Sequence, residues 1–118
     1  MPDHRASLPD RRRLEATRIY YPGEAGHSIH IQVGFYDDGR PGEVFLTGGG
    51  VHGTGMEMTL KDLGVLLSHM FQRGILPQYL ATRVGREANL PTPSGRPASV
   101  IGAILDEIVA MLEEKEAA

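Results

Sequence analysis

A strict alternation of apolar and polar residues over His27–Phe35 constrains this chain more than any other feature of its sequence. In an extended strand, successive side chains point to opposite faces, so Ile29, Ile31, Val33 and Phe35 share one face. The pattern therefore predicts a β-strand with one buried side. Because two or three strands alone are marginally stable in water, other parts of the chain must cover that apolar side.

Two further strands are predicted, one on each side of this segment. Leu14–Tyr21 is rich in β-branched and aromatic residues and ends at Pro22-Gly23, a pair that breaks extended structure. Residues 43–47 form a short apolar run after Asp38-Gly39, whose glycine accepts a positive φ at little cost. Together the three segments predict an antiparallel hairpin or meander.

The next part of the chain has helical periodicity instead. Residues 58–73 repeat apolar side chains every three or four positions, and Gly74 suits the residue just after a helix end. Thr54 and Thr59 both begin plausible capping arrangements, so the helix start is open by about one turn. This segment predicts a long amphipathic helix.

Two more helices are predicted beyond it. Proline at the start and glycine at the exit favour a short helix over about 77–84, and a last helix begins near Pro97 after a loop rich in Pro, Ser and Gly. The last helix carries one apolar stripe, which a helix of a globular domain buries. The stripe consists of Ile101, Ile104, Leu105, Ile108, Met111 and Leu112.

Strands followed by helices, rather than a regular alternation of the two, indicate the α+β class. We expect a small antiparallel sheet of two to three strands, covered on one face by two long helices and one short helix. The chain of 118 residues has the size of one domain. Its polar start predicts a disordered arm over 1–13, followed by one domain over 14–115 and a frayed end over 116–118.

The outer strands of such a sheet would be unpaired edges, and unpaired edges favour association. We therefore expect a homodimer, formed by edge pairing or by packing of the last helix against its mate. The first residues lack the apolar stretch of a secretory signal, and the apolar runs are too short to cross a bilayer. A cytoplasmic protein without a membrane partner is expected.

Composition excludes several kinds of chemistry. The sequence has 0 Cys, which removes disulfides, thiolate metal sites and thiol-based radical chemistry from this chain. A formal net charge of −3 argues against a mainly electrostatic nucleic-acid binder, since such proteins need a basic surface. Nucleic-acid contact through Arg5, Arg11, Arg12 and Arg13 is a weaker hypothesis, because a solvated tail explains so short a cluster better.

The most distinctive motif is a glycine-rich segment between the third strand and the first long helix. Residues 48–53 spell Gly-x-Gly-x-x-Gly, and glycines let backbone N–H groups approach an anion at a helix start. A dinucleotide site also requires a parallel βαβ unit, and a P-loop requires Lys-Ser or Lys-Thr; neither follows here. A turn-rich connection is therefore the preferred interpretation. The alternative is a nucleotide or phosphate site made by Gly48, Gly50, His52, Gly53, Thr54 and Gly55.

The remaining residues do not assemble into a metal site or a catalytic constellation. His27 and His30 point to opposite faces of one strand, so a partial site around His30 or His52 is the strongest metal candidate. No serine lies in a Gly-x-Ser-x-Gly elbow, and the paired acidic residues lie in a turn and at a helix end. His69 lies on the polar side of its helix, where a solvated side chain is expected. We expect no metal, no cofactor and no catalytic residue.

The order of segments resembles a known family. Residues 36–46 read Tyr-Asp-Asp-Gly-Arg-Pro-Gly-Glu-Val-Phe-Leu, residues 72–75 read Gln-Arg-Gly-Ile, and residues 98–101 read Ala-Ser-Val-Ile. This pattern resembles the TSCPD domain over about residues 13–112, most specifically at Asp-Gly-x-Pro-Gly-Glu-Val-Phe. That domain is similar to the C-terminal region of adenosylcobalamin-dependent ribonucleotide reductases and also occurs as small free-standing proteins.

Departures from the family pattern limit what the resemblance implies. The Thr-Ser-Cys-Pro-Asp string that names the family corresponds here to Ala-Ser-Val-Ile-Gly at 98–102, which keeps only Ser99. The family cysteine is absent, and so is the thiol pair with which full-length reductases reduce their active site. The resemblance therefore implies an accessory module of the ribonucleotide reductase type, rather than a reductase. Our leading hypothesis is a non-catalytic binding module whose sheet edge or glycine-rich loop over 48–55 contacts a partner protein or a nucleotide.

Overall fold

The computed structural model describes residues 5–21, 27–49, 55–85, 97 and 99–117. Within these residues the chain forms three strands and three helices. In chain order they are β1 (Leu14–Tyr21), β2 (His27–Phe35), β3 (Pro41–Gly49), α1 (Gly55–Gln72), α2 (Pro77–Ala81) and α3 (Val100–Ala117). The predicted α+β class, with a small antiparallel sheet and three helices, is confirmed. The chain forms two compact units, Met1–Ile75 and Leu76–Ala118, and the single domain over 14–115 stays a prediction.

The sheet has the order β1-β2-β3, and both strand pairs are antiparallel. In its centre Thr17 pairs with Ile31, which pairs in turn with Leu46. Ile31 and Val33 are 0% exposed, so the alternation in the central strand does place one face in the core. The strand predicted over 43–47 is longer in the structure, because the pairing with β2 extends to Pro41 at one end and to Gly48 and Gly49 at the other, residue types that strands rarely contain.

The turn between β2 and β3 follows from Asp38-Gly39. Gly39 has a φ of 92° and donates its N–H to the carbonyl oxygen of Tyr36 at 3.0 Å. Both carboxylate oxygens of Asp38 accept hydrogen bonds from Arg40, one from its backbone N–H and one from its guanidinium. These bonds favour the charged carboxylate and lower the pKa of Asp38. The hairpin predicted from this dipeptide is confirmed.

Helix α1 packs against β3 and ends as its sequence predicts. Gly74 has a φ of 90°, and its N–H donates to the carbonyl oxygen of Phe71. The next N–H, from Ile75, donates to the carbonyl oxygen of Met70, which completes a Schellman motif. The helix begins at Gly55, about one turn before the start predicted at Met58.

The segment before β1 is held by specific contacts, in contrast to the disordered arm that its polar composition predicts. Ala6 donates its N–H to the carbonyl oxygen of Gln72 at 2.9 Å and accepts a hydrogen bond from the Tyr36 hydroxyl at 2.6 Å. Arg12 bonds to the Glu43 carboxylate at 2.6 Å and to the carbonyl oxygen of Pro9 at 2.8 Å. Pairing with groups of the sheet and of α1 outweighs the polarity of residues 5–13.

Replacing Tyr36 tests this attachment. Burial raises the pKa of Tyr36, so its hydroxyl remains a donor at neutral pH. Tyr36→Phe keeps the ring and removes one hydrogen bond, and we expect the free energy of unfolding to fall by about 1 kcal/mol. Hydrogen exchange of the Ala6 amide, which donates to Gln72, should also become faster. Tyr79→Phe is the control, because Tyr79 is exposed, and equal effects of the two variants would contradict the attachment.

The second unit contains α2 and α3, which pack against each other. Pro77 opens α2, which ends at Ala81 and is shorter than predicted. Ser99 precedes α3 and accepts the N–H of Gly102 through its Oγ at 3.2 Å, which is the geometry of an N-terminal cap. The one serine retained from the family string thus starts this helix. None of the helices in the described ranges is both long enough and apolar enough to cross a bilayer.

Candidate functional site

A groove of about 450 Å³ lies between β3 and α1. Its strand wall includes Phe45 and Thr47, and its helix wall includes Lys61, Val65 and His69. We call this surface the β3–α1 groove. It is the candidate site because it combines exposed apolar side chains with charged ones in one concave region.

The close approach of α1 to β3 depends on Gly64. A Cβ atom at this position would lie 2.9 Å from the carbonyl oxygen of Val44 and 3.5 Å from the backbone nitrogen of Leu46. Carbon atoms do not approach backbone atoms this closely without displacing them, so only glycine fits here. Residues 64, 68 and 72 recur at four-residue spacing, and one face of α1 therefore follows the edge of the strand.

Two polar side chains of this helix face bind the backbone of β3. Ser68 Oγ accepts the N–H of Val44 at 2.8 Å and donates to the carbonyl oxygen of Gly64 at 2.7 Å. Gln72 Nε2 donates to the carbonyl oxygen of Gly42 at 2.7 Å. The expectation that both outer strands have unpaired edges is therefore wrong for β3 at residues 42 and 44. The homodimer stays a prediction. A second copy could not pair with β3 at Gly42 and Val44, because side chains of α1 already bind those backbone groups.

Gln72 retains one unused polar atom. The residue is 6% exposed, and its Oε1 has no hydrogen-bond partner among the described residues. The orientation of the amide follows from Gly42, because only the NH₂ group can donate to that carbonyl. At the Gln72 end of the groove, the hydrogen bond from Gln72 Nε2 to Gly42 thus fixes the position of the floor.

The apolar walls of the groove are largely uncovered. Phe45 is 53% exposed on the strand side, and Val65 is 55% exposed on the helix side. Val44 and Leu46, the neighbours of Phe45 in β3, are buried and form the floor. A ligand with an apolar side chain would remove both walls from water, and burying such a side chain contributes about 1.5–3 kcal/mol.

The charges of the groove lie toward its two ends. Lys61 and His69 are eight residues apart on α1, which separates them by about 12 Å along the helix axis. Lys61 Nζ is 3.3 Å from a carboxylate oxygen of Glu57. Glu43 is the acidic residue of the lining, and Arg12 neutralises it through a hydrogen bond that also raises the pKa of Arg12.

Arg5 completes the charged lining, beside Glu43 and Gln72. It belongs to the segment that Ala6 attaches to the end of α1. The lining therefore contains the side chains of Arg5, Lys61 and His69 against one carboxylate that is already in an ion pair.

The glycine-rich segment does not contribute to this groove where the structure describes it. Gly48 lies near the end of β3, where it pairs with Ile29, and Gly55 opens α1. Gly50, His52, Gly53 and Thr54 lie outside the described residues. His30 pairs with Thr47 in the sheet, and no group of three or more His, Asp or Glu side chains in the described ranges could hold a metal ion.

Sequence reasoning missed the groove. Val65 is not among the apolar residues whose three- and four-residue spacing predicts α1, and the sequence predicts only a solvated side chain for His69. Those residues are Leu60, Leu63, Leu66, Leu67, Met70 and Phe71. A usable signal exists in the spacing of Lys61, Val65 and His69, which places three dissimilar side chains on one helical line. What the spacing does not show is that β3 lies next to that line.

The described residues have an α+β arrangement, with an open groove between the edge strand β3 and α1. The family model of the TSCPD domain matches residues 5–114 of the 118-residue chain. This chain belongs to the TSCPD domain family. The match begins at Arg5, within the attached segment, and not at about residue 13 as the resemblance suggested. Neither a curated protein nor a solved structure matches the chain at a significant level.

Proposed function

We propose that this protein is a non-catalytic binding module that holds a segment of a partner protein in the β3–α1 groove. The observation that carries the proposal is the pair of apolar walls, Phe45 and Val65, each more than half exposed in a concave surface. Exposed apolar surface of this kind is typical of interaction sites. The family supports an accessory role of the type implied by its similarity to ribonucleotide reductase C-terminal regions.

The polar groups of the groove support binding over catalysis. The Ser68 hydroxyl donates its proton to the Gly64 carbonyl oxygen and accepts the N–H of Val44. It is therefore not positioned as a nucleophile. Glu43 already accepts a charge-assisted hydrogen bond from Arg12 at 2.6 Å, so its carboxylate is engaged in holding the segment before β1. The sequence has no cysteine with which to carry thiyl chemistry. The Ser68 hydroxyl and the Glu43 carboxylate instead hold parts of the fold together.

Photo-crosslinking tests the proposal in cells. A benzoylphenylalanine at Val65 should give an adduct with one protein, and the adduct should form again when that protein is purified and mixed with this one. The same residue at Leu66 is the control, because Leu66 is 59% exposed on the same helix but does not line the groove. Equal labelling from both positions, or none from Val65, would contradict the proposal.

Nucleotide binding through the glycine-rich segment is the alternative function, and the melting temperature measured with and without nucleotide tests it. A nucleotide at about one hundred times its dissociation constant stabilises a protein by about 2.7 kcal/mol. A clear rise of the melting temperature with a nucleotide, together with no adduct at Val65, would favour that alternative.

A further inference from the structure

We propose that the β3–α1 groove binds an extended segment in which two acidic residues flank one apolar residue, in the pattern acid-x-apolar-x-acid. This inference rests on the proposed function and names the chemistry of its partner. The inference rests on the order of side chains along the groove, in which an apolar stretch lies between Lys61 at one end and Arg5 with His69 at the other.

The helix wall presents a cation, an apolar side chain and an imidazole in a line. Lys61, Val65 and His69 are spaced by four residues each, so they follow one face of α1 over about 12 Å. Val65 in the middle is 55% exposed. Lys61 remains 53% exposed at its side chain although Glu57 lies 3.3 Å away, so a second carboxylate can reach it from the groove.

The strand wall runs in the opposite direction. Ser68 bonds to Val44 and Gln72 to Gly42, so an advance along α1 corresponds to a step back along β3. Phe45 therefore lies in the stretch of the groove near Val65, with Thr47 toward the Lys61 end. The apolar part of the groove lies between two polar ends.

The second end carries positive charge as well. Arg5 and His69 both line it, and the neighbouring carboxylate of Glu43 bonds to Arg12 at 2.6 Å. The Arg73 guanidinium lies just outside this end, 3.3 Å from His69 Nδ1. An incoming carboxylate thus meets the Arg5 guanidinium and the His69 ring, while the one carboxylate of the lining is already bound to Arg12.

The dimensions select an extended occupant. In an extended chain, residues i, i+2 and i+4 lie on one face and span about 13 Å, which matches the length of the helical line. Two carboxylates at the ends of that span meet Lys61 and the Arg5–His69 end, while the middle side chain enters between Phe45 and Val65. No two acidic residues among these 118 residues are four positions apart, so they do not supply the matching segment, and we assign it to a partner protein.

The occupant is held by side chains and not by strand addition at residues 42–44. Adding a strand to β3 requires its outward N–H and C=O groups, and Ser68 and Gln72 already bind those of Val44 and Gly42. The order of side chains in the occupant should therefore matter more for affinity than its ability to form a strand.

Fluorescence polarisation with labelled peptides tests this on the full chain. The peptide Gly-Glu-Ala-Leu-Ala-Glu-Gly should bind more tightly than the same peptide with lysine in place of both glutamates, and more tightly than one with both glutamates next to the leucine. Replacing its leucine with alanine should weaken binding about tenfold. Lys61→Ala should weaken it about threefold to fivefold.

A charge swap makes the test specific. Lys61→Glu should reduce binding of the glutamate peptide by about tenfold and favour a peptide whose residue at that end is lysine. Leu66→Ala, outside the groove, is the control and should leave binding unchanged; the melting temperature of each variant shows that it is folded. Binding that ignores peptide charge and spacing, or that survives Lys61→Glu, overturns the inference.

The two proposals fail differently. If the peptides do not bind but the Val65 photo-adduct forms, the groove holds a partner of other chemistry and only the acidic pattern falls. If neither the peptides nor the adduct are observed, both the pattern and the proposed function are refuted.

Discussion

Gly64→Val is expected to lower the free energy of unfolding by about 2–3 kcal/mol, although valine is the better helix former. The first carbon of the new side chain would lie 2.9 Å from the carbonyl oxygen of Val44. Backbone atoms of a paired strand cannot swing aside as a flexible side chain does. Helix α1 must therefore move away from β3, which also stretches the hydrogen bond between Ser68 and Val44.

Urea denaturation followed by circular dichroism measures this loss. Gly64→Ala should show a smaller loss, because one methyl group makes the same contact without a second branch. Gly55→Ala is the matched control in the same helix, since a Cβ at Gly55 meets nothing within 4 Å. It should be neutral or slightly stabilising. A Gly64→Val variant as stable as the Gly55→Ala variant would show that α1 does not lie against the strand.

The same variant connects stability to the groove. Because Val65 follows Gly64 directly, a displaced α1 separates Val65 from Phe45 and widens the apolar part of the groove. We therefore expect the folded fraction of Gly64→Val to bind the acidic peptide more weakly than the parent chain.

The strands could be predicted closely because their signal is local. Alternation along β2 and the breaker pair after β1 define both elements within their own residues, and the observed bounds agree with those predicted. The ends of β3 could not be found this way. Pro41, Gly48 and Gly49 have poor strand propensity, and only their pairing with β2 makes them part of the sheet.

The groove could not be predicted from the sequence for a different reason. Ser68 and Gln72 are polar residues on a predicted helix, and by periodicity alone they belong to its solvated face. In the structure they bind the backbone of β3, at residues 24 and 30 positions earlier in the sequence. Periodicity reports which residues share a face, but not which element covers that face.

The contacts of residues 5–13, which precede β1, could not be predicted from the sequence either. The arginines and prolines of this segment predict a solvated tail, and Arg12 fits that expectation until Glu43 is known to lie beside it. Charged residues are as compatible with long-range pairing as with solvent, so composition does not distinguish the two. The family match, which begins at Arg5, points in the same direction as the contacts.

Gln72→Glu is expected to destabilise the protein by about 3–5 kcal/mol at neutral pH, the largest effect of any substitution proposed here. The side chain keeps its size but loses its donor, so a carboxylate oxygen would face the carbonyl oxygen of Gly42, which now lies 2.7 Å from Nε2. Because residue 72 is only 6% exposed, the new charge would be largely removed from water, which is costly.

Gln72→Met is the matched control, because it removes the donor without adding a charge and should cost only about 1–2 kcal/mol. The difference between the two variants, measured by urea denaturation, reports the buried charge alone. It should shrink as the pH is lowered, since a protonated carboxyl can again donate to Gly42. Equal stabilities of the Glu and Met variants at neutral pH would mean that residue 72 reaches water. The edge of β3 would then be open there, and an added strand would become a possible occupant of the groove.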